Sequence, residues 1–350
     1  MARLAMRRVP GMLLLAAALL CGGGAQAFDH AGHQFIGDLA DRLLNPRAQA
    51  QVNMILEPGW SLKVAATWPD CAKGVGSTGG GTFAYRGDPQ FAYACAPFET
   101  DAGRARMEDF VRRNWTQCSP RAGQEVCHKQ YHYTDVPIQR ERYDRAFPGT
   151  SDHDIVGAID ACVAVLRGQP APPPFSIRDR QEALLLLAHF VGDVHQPLHV
   201  GALYLDPRGQ PADPGASAAA RDTRGGNNLL DQAGPPGRNG PAVLHLEWDQ
   251  LPPALRPPAD APALLDEARA LPRTAGTVDA WAANWASETV LVARQAFDGL
   301  RYAANDKRPG LWDIVFGSRA EYMAAKEAVQ ARQLLRAGAR LAQLLNDIWP

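Results

Sequence analysis

The sequence predicts a mostly α-helical protein with long loops and few or no strands. Three observations carry that prediction. Apolar residues recur at helical spacing in several segments, strand-like alternation is nearly absent, and proline and glycine gather between the periodic segments. The first segment, "GHQFIGDLADRLL" (32–44), puts Phe35, Ile36, Leu39 and Leu43 on one face. The second, "TSDHDIVGAIDACVAVLRG" (150–168), offers Thr150, Ser151 and Asp152 as caps, then Ile155, Ile159 and Val163, with Gly168 as a stop. The third, "IRDRQEALLLLAHFVGDVHQ" (177–196), runs until Pro197 blocks continuation. Helices over 279–298 and the Ala/Leu/Arg-rich 319–346 follow. The Pro/Gly stretches at 168–174, 206–215, 233–241 and 252–262 read as surface loops inside one domain, and no internal repeat is visible.

Ahead of these elements, residues 1–27 read as a cleaved signal peptide. Arg3, Arg7 and Arg8 precede the apolar run Met12–Leu20, and Ala25-Gln26-Ala27 has the small-x-small form of a signal-peptidase site. The run is too short for a membrane anchor, and no later stretch reaches the roughly 18 apolar residues of a spanning helix. The expected product is an exported, monomeric protein of residues 28–350, in a periplasm or outside the cell, with no stable protein partner. Lipidation at Cys21 is the competing reading, disfavoured by the bulky Leu20 before it.

The whole chain has 36 basic and 37 acidic residues, and removing 1–27 takes three arginines and no acid, leaving 33 against 37. A mildly acidic chain does not bind nucleic acid by presenting a basic face. Five cysteines remain: Cys71, Cys95, Cys118, Cys127 and Cys162. Export favours disulfides, and Cys71–Cys95 and Cys118–Cys127 close short loops. Cys162 is then left over as a buried helical thiol.

The chemistry concentrates in "LLLLAHFVGDVHQPLHVG" (184–201). His189 and Asp193 stand four apart, on one helical face, while His195 falls on another and His199 lies beyond Pro197. A single histidine in an apolar helix is ordinarily a core residue with satisfied hydrogen bonds. Several polar groups in one apolar run each need a partner, and a metal ion satisfies several at once. Imidazole and carboxylate suit zinc. Further candidates are His33 in "FDHAGH", Asp70 in "TWPD", His132 and Asp135 in "QYHYTD", and His245 and Asp249 in "LHLEWD". Singly, each is more often a cap or a surface residue.

Taken in order, these motifs resemble the secreted zinc-dependent single-strand nucleases of the fungal S-one/P-one type. "HFxGDxHQPLH" at 189–199 is the most specific of them, "VLHLEWD" stands where that family has NLHxxWD, and "AGARLAQLLN" (337–346) is similar to its last helix. The resemblance implies the mostly α fold shared by these nucleases and the zinc-dependent phospholipases C. It also implies three Zn²⁺. One would be held by His33, Asp193 and the α-amine and carbonyl of Phe28, the family's usual tryptophan. A second would take Asp70, His132, His189 and a bridging Asp193; the third would take His199, His245 and Asp249. The amine is a ligand only if cleavage follows Ala27.

Three zinc ions against three aspartates leave a formal surplus of three positive charges, which draws phosphate without a basic surface. Zinc also lowers the pKa of a water it binds toward about 7. The implied activity is in-line hydrolysis of single-stranded DNA and RNA to 5′-phosphorylated nucleotides, with 3′-nucleotidase activity besides. Lys73 is placed to stabilise transition-state charge, Asp135 to orient the attacking water or pair with Lys73, and Tyr133 to stack a base. Two other readings remain: a phospholipase C-like hydrolase of lipid phosphodiesters, and an exported zinc-binding protein without catalysis.

Overall fold

The computed structural model describes residues 28–235, 240–256 and 261–350, so the signal-peptide reading of 1–27 lies outside the described residues. The chain is mostly α-helical, as its periodicity predicts. The helices are α1 (His30–Asp41), α2 (Pro46–Ile55), α3 (Leu62–Ala65), α4 (Trp68–Ala72), α5 (Asp101–Arg113) and α6 (Cys127–Gln130). They continue as α7 (Ile155–Leu166), α8 (Arg180–Asp193), α9 (Leu244–Asp249), α10 (Trp281–Ala293) and α11 (Arg319–Ile348), with further helical segments between, Ala92–Cys95 and Pro262–Ala270 among them.

Helix α8 is the axis of the core. From Glu182 to Asp193 every residue is buried, so the helix has no solvent face to mark with charge. Its one buried acid near the start, Glu182, accepts from Arg113 at 2.7 Å. Helices α7, α1 and α11 pack around it. The close approaches need glycine. A Cβ on Gly37 would stand 2.3 Å from the Leu62 carbonyl oxygen, and one on Gly338 would stand 2.7 Å from Leu39 Cδ2. Gly37→Ala is therefore expected to push α1 off α3, costing about 1–3 kcal/mol by the usual penalty for overpacking. A thermal melt reads this; an unchanged midpoint would mean that α1 can shift freely.

Several boundaries differ from the sequence expectation. The cap of α7 is Asp154, not Thr150, Ser151 or Asp152: its Oδ1 accepts from Val156 N at 3.1 Å and Gly157 N at 3.3 Å. Helix α8 stops at Asp193, four residues before Pro197. Proline disfavours the helical conformation in the residue ahead of it, and Gln196 is extended. The His195–His199 stretch is thus a turn, which frees His199 to point differently from His189.

Strands appear only as short pieces. β1 (Val75–Gly79) and β2 (Thr82–Tyr85) form a hairpin, and β3 (Leu229–Asp231), β4 (Ala242–Val243), β5 (Leu300–Ala304) and β6 (Trp312–Phe316) form a four-stranded sheet in the order β4-β3-β6-β5. In β6, "WDIVF" buries Trp312 and Ile314 while Val315 is exposed, an alternation too short to stand out in the sequence. Disulfides join Cys71 to Cys95 and Cys118 to Cys127, and Cys162 is a free buried thiol on α7, as expected. No helix among the described residues is long and apolar enough to cross a membrane.

Candidate metal centre

Five separate stretches of chain deliver the candidate ligands. Helix α1 brings His33, α4 brings Asp70, the turn after α6 brings His132, α8 and its following turn bring His189, Asp193 and His199, and α9 brings His245 and Asp249. Asp193 stands at the middle. Its Oδ2 lies 2.9 Å from His132 Nδ1 and 3.0 Å from His189 Nε2. Its Oδ1 lies 3.3 Å from His33 Nε2 and 3.8 Å from His199 Nδ1. Asp70 Oδ1 is 3.6 Å from His189 Nε2. At the other end His245 Nε2 is 3.1 Å from His199 Nε2 and 3.7 Å from Asp249 Oδ2.

These side chains form three buried groups that can hold metal ions: His33, Asp70 and His189; His132, His189 and Asp193; His199, His245 and Asp249. They draw on the expected side-chain ligands but divide them differently: His33 groups with Asp70 and His189 rather than with Asp193, and only the His199, His245 and Asp249 group has the expected membership. The ring orientations fit a cation. His189, His199 and His245 each donate Nδ1–H to a backbone carbonyl, of Ala66 at 2.7 Å, His132 at 2.8 Å and Gly225 at 2.7 Å. That fixes their tautomers and turns each bare Nε2 lone pair inward, as metal-ligating histidines are held. Two such lone pairs at 3.1 Å repel unless a positive charge lies between them.

Unpartnered atoms make the same case. Both ring nitrogens of His33, Asp193 Oδ1 and Asp249 Oδ2 are buried without a hydrogen-bond partner. Isolated buried polar groups are costly, so their convergence here marks a place for an ion. The protonation balance is strained accordingly. Burial pushes Asp249 well up, and the charges of Asp29 and Asp193 add to it. Burial also raises Asp193, but positive charge on His189 and His199, carried when they are protonated, outweighs it and holds that carboxylate well below its usual range. Burial, with His189 beside it, lowers His33 to about 4, keeping its imidazole neutral and able to ligate.

Close packing sets the site. A Cβ on Gly192 would lie 2.9 Å from His33 Nδ1, so the glycine of "HFVGD" is what lets α1 meet α8. Gly225 holds φ +54°, and a Cβ there would meet the Leu198 carbonyl at 2.0 Å. Phe28 is fully buried, and the neighbouring Asp29 N–H donates to the Asp249 carbonyl at 2.6 Å, which ties this segment to α9. Two residues not foreseen from the sequence also reach the centre. Gln196 donates Nε2–H to Asp249 Oδ1 at 2.7 Å, and His30 lies within the electrostatic reach of Asp70. Both stand inside the motifs "HFxGDxHQPLH" and "FDHAGH", and only their spatial neighbours give them away.

The remaining expected site residues divide. Lys73 Nζ donates to Asp70 Oδ1 at 2.7 Å, so it sits at the edge of the centre. Burial lowers the lysine, but Asp70 more than offsets this, and the ammonium stays charged. Asp135 does not turn to Lys73, as one expectation had it. It faces Asp222 and Arg224, and burial, with the Asp222 charge beside it, pushes its carboxyl well up. Tyr133 and Asp135 line a narrow cleft together with Asn227 and His245, so an aromatic and a carboxyl flank the centre. A larger cavity of about 470 Å³ shares Glu125, Tyr133, Asp135 and Arg224 with it. His195 is a core residue. Its Nδ1 donates to Val191 O at 2.7 Å, and its Nε2 faces Arg340 Nη1 at 3.1 Å, away from the ligand groups.

Comparison with known proteins agrees with this geometry. Over 75 residues the chain is 36% identical to Endonuclease 1 of Arabidopsis thaliana, an alignment that covers 20% of this chain and 25% of that protein. The chain therefore spans about a quarter of that relative's length in the match. The profile of the S1/P1 nucleases, by contrast, matches residues 28–350, which include every candidate ligand. The chain belongs to the S1/P1 nuclease family.

Proposed function

We propose that residues 28–350 form a single catalytic unit that hydrolyses single-stranded DNA and RNA to 5′-phosphorylated nucleotides, and 3′-nucleotides as well. One observation carries this reading: Asp193, fully buried, sits within 3.8 Å of four histidines and beside a cavity that Tyr133 and Asp135 line. His33, Asp193 and the Phe28 amine and carbonyl would hold one zinc ion. Asp70, His132, His189 and Asp193 would hold a second, and His199, His245 and Asp249 a third. When bound, the ions supply Lewis acidity that activates water and offsets phosphate charge at neutral pH.

The protein's own groups do the rest. The Lys73 ammonium, held by Asp70, stabilises charge developing on the phosphoryl oxygens. The Tyr133 ring stacks a base beside His245, where a duplex cannot offer one because its bases are already stacked. Asp135, which lines the same cavity, orients the attacking water, and burial with Asp222 beside it raises its carboxyl. A mildly acidic surface is no obstacle, because the attracting charge is internal. Export with removal of residues 1–27 fits the two disulfides and frees the Phe28 amine.

The test combines metal analysis of the protein beginning at Phe28 with cleavage assays on denatured DNA, duplex DNA and RNA. About three zinc ions per chain, strong preference for single strands, 5′-phosphate ends and complete loss with a chelator are expected. Absence of zinc, or 3′-phosphate products, would refute the proposal.

A further inference from the structure

A further cavity, of about 290 Å³, opens at the Lys73 end of the centre and shares no lining residue with those that Tyr133 lines. Its wall carries Lys73, Arg86, Lys129 and Trp115 over the chain from Gly74 to Thr78. Every charged residue in that wall is a cation. Lys73 is bonded to Asp70, but neither Arg86 nor Lys129 takes part in an ion pair among the described residues. Burial pulls the partly buried Lys129 ammonium below the usual lysine range; Glu125 opposes that, and Lys73 adds to it. Two cations without an ion pair, gathered beside the Lys73 ammonium, repel one another in the empty cleft and are stabilised once an anion enters.

The cavity is built by local sequence. The chain leaves Asp70 on α4, passes Lys73 and turns at Gly74 into β1. Arg86 N–H donates to the Gly74 carbonyl at 3.0 Å, and a Cβ on Gly74 would meet the Arg86 carbonyl at 2.9 Å. Arg86 is thereby anchored beside the residue that follows Lys73. Trp115 is fixed from behind. It packs edge-on against Phe83 at 5.1 Å and stacks with His128 at 5.8 Å, while remaining partly exposed.

We propose that this cavity is a second phosphate subsite, which takes a phosphodiester of the substrate strand beyond the scissile one and seats the adjoining base against Trp115. A cationic groove with a rigid aromatic platform is the combination that holds single strands without reading sequence. Continuity through Lys73 makes the occupant the strand itself rather than free phosphate, since the same side chain lines this cavity and bonds the candidate ligand Asp70. The inference rests on the nuclease reading and adds a length preference to it: longer strands are bound better than mononucleotides.

Arg86→Gln, Lys129→Met and the double variant test it, with Lys73 left untouched. The substrates are a single-stranded oligonucleotide and bis(p-nitrophenyl) phosphate, which has one phosphodiester and cannot reach the subsite. The double variant is expected to raise KM for the oligonucleotide about ten-fold and to flatten log KM against log salt by about 0.7 for each phosphate no longer neutralised. Its kcat, and both constants for the small diester, should match wild type. Unchanged KM and salt slope would overturn the proposal, and so would equal losses on both substrates. A change confined to inhibition by inorganic phosphate would assign the cavity to the free anion and also overturn it. Fluorescence anisotropy with a labelled oligonucleotide separates the two readings. A wild type that cuts nothing refutes the nuclease, yet a fall in oligonucleotide affinity in the double variant still upholds the subsite, and equal affinity removes it.

Discussion

Asp193→Asn is expected to lower kcat/KM on denatured DNA by about a thousand-fold or more, equivalent to about 4 kcal/mol of transition-state stabilisation. The side chain keeps its size and loses its charge. Both carboxylate oxygens now face imidazoles, Oδ2 at 2.9 and 3.0 Å and Oδ1 at 3.3 Å, and no other acid in the centre reaches so many. An amide can offer only one acceptor, and its NH₂ would point at histidine lone pairs or at a cation. The same preparation should therefore contain fewer metal ions per chain, while circular dichroism shows a folded protein. Wild-type rate together with wild-type metal content would remove Asp193 from the role proposed for it.

Extending the protein by even two residues ahead of Phe28 is expected to cost about a hundred-fold or more in activity, in the range that loss of a metal ligand's support produces. Phe28 is fully buried with its ring 6.3 Å from that of His33, and Asp29 ties the segment to Asp249. A free amine has a lone pair to give to a metal, whereas the nitrogen of a peptide bond has delocalised its own into the carbonyl. Added residues would also have to leave a fully packed pocket. Proteolytic exposure of Phe28 should restore the activity, measured on one preparation before and after cleavage. Equal rates in the two states would exclude the amine as a ligand.

The candidate site was more legible than its surroundings, and particular residues show why. His189 and Asp193 are four apart on a helix, so one local rule already places them side by side. Motif order then gathers His33, Asp70, His132, His199, His245 and Asp249. Cys71–Cys95 and Cys118–Cys127 were legible because short loops leave little choice of partner. Asp135 was not. Its distance of three residues from His132 says nothing about Asp222, which arrives from a stretch far along the chain. Nor could spacing reveal that Gln196 rather than His195 touches Asp249, since the two are adjacent and the turn decides which side chain points inward. The α7 cap illustrates a smaller limit: several polar residues precede the helix, and only backbone geometry selects Asp154.

By itself, the sequence determined the mostly α character, the apolar helix within 177–196, the disulfide pairs and the candidate ligands. All of these follow from periodicity, composition, motif order and short-range spacing, which are read along the chain. Only the tertiary structure decided that Lys73 bonds Asp70, that Tyr133 and Asp135 share a cavity with His245, and that Arg86, Lys129 and Trp115 meet beside Lys73. The physical reason is that charge and packing act through space. A cation has no preferred partner along the chain, and its neighbours are set by how closely helices and hairpins approach, at places such as Gly74 and Gly192 where a single Cβ would hold them apart.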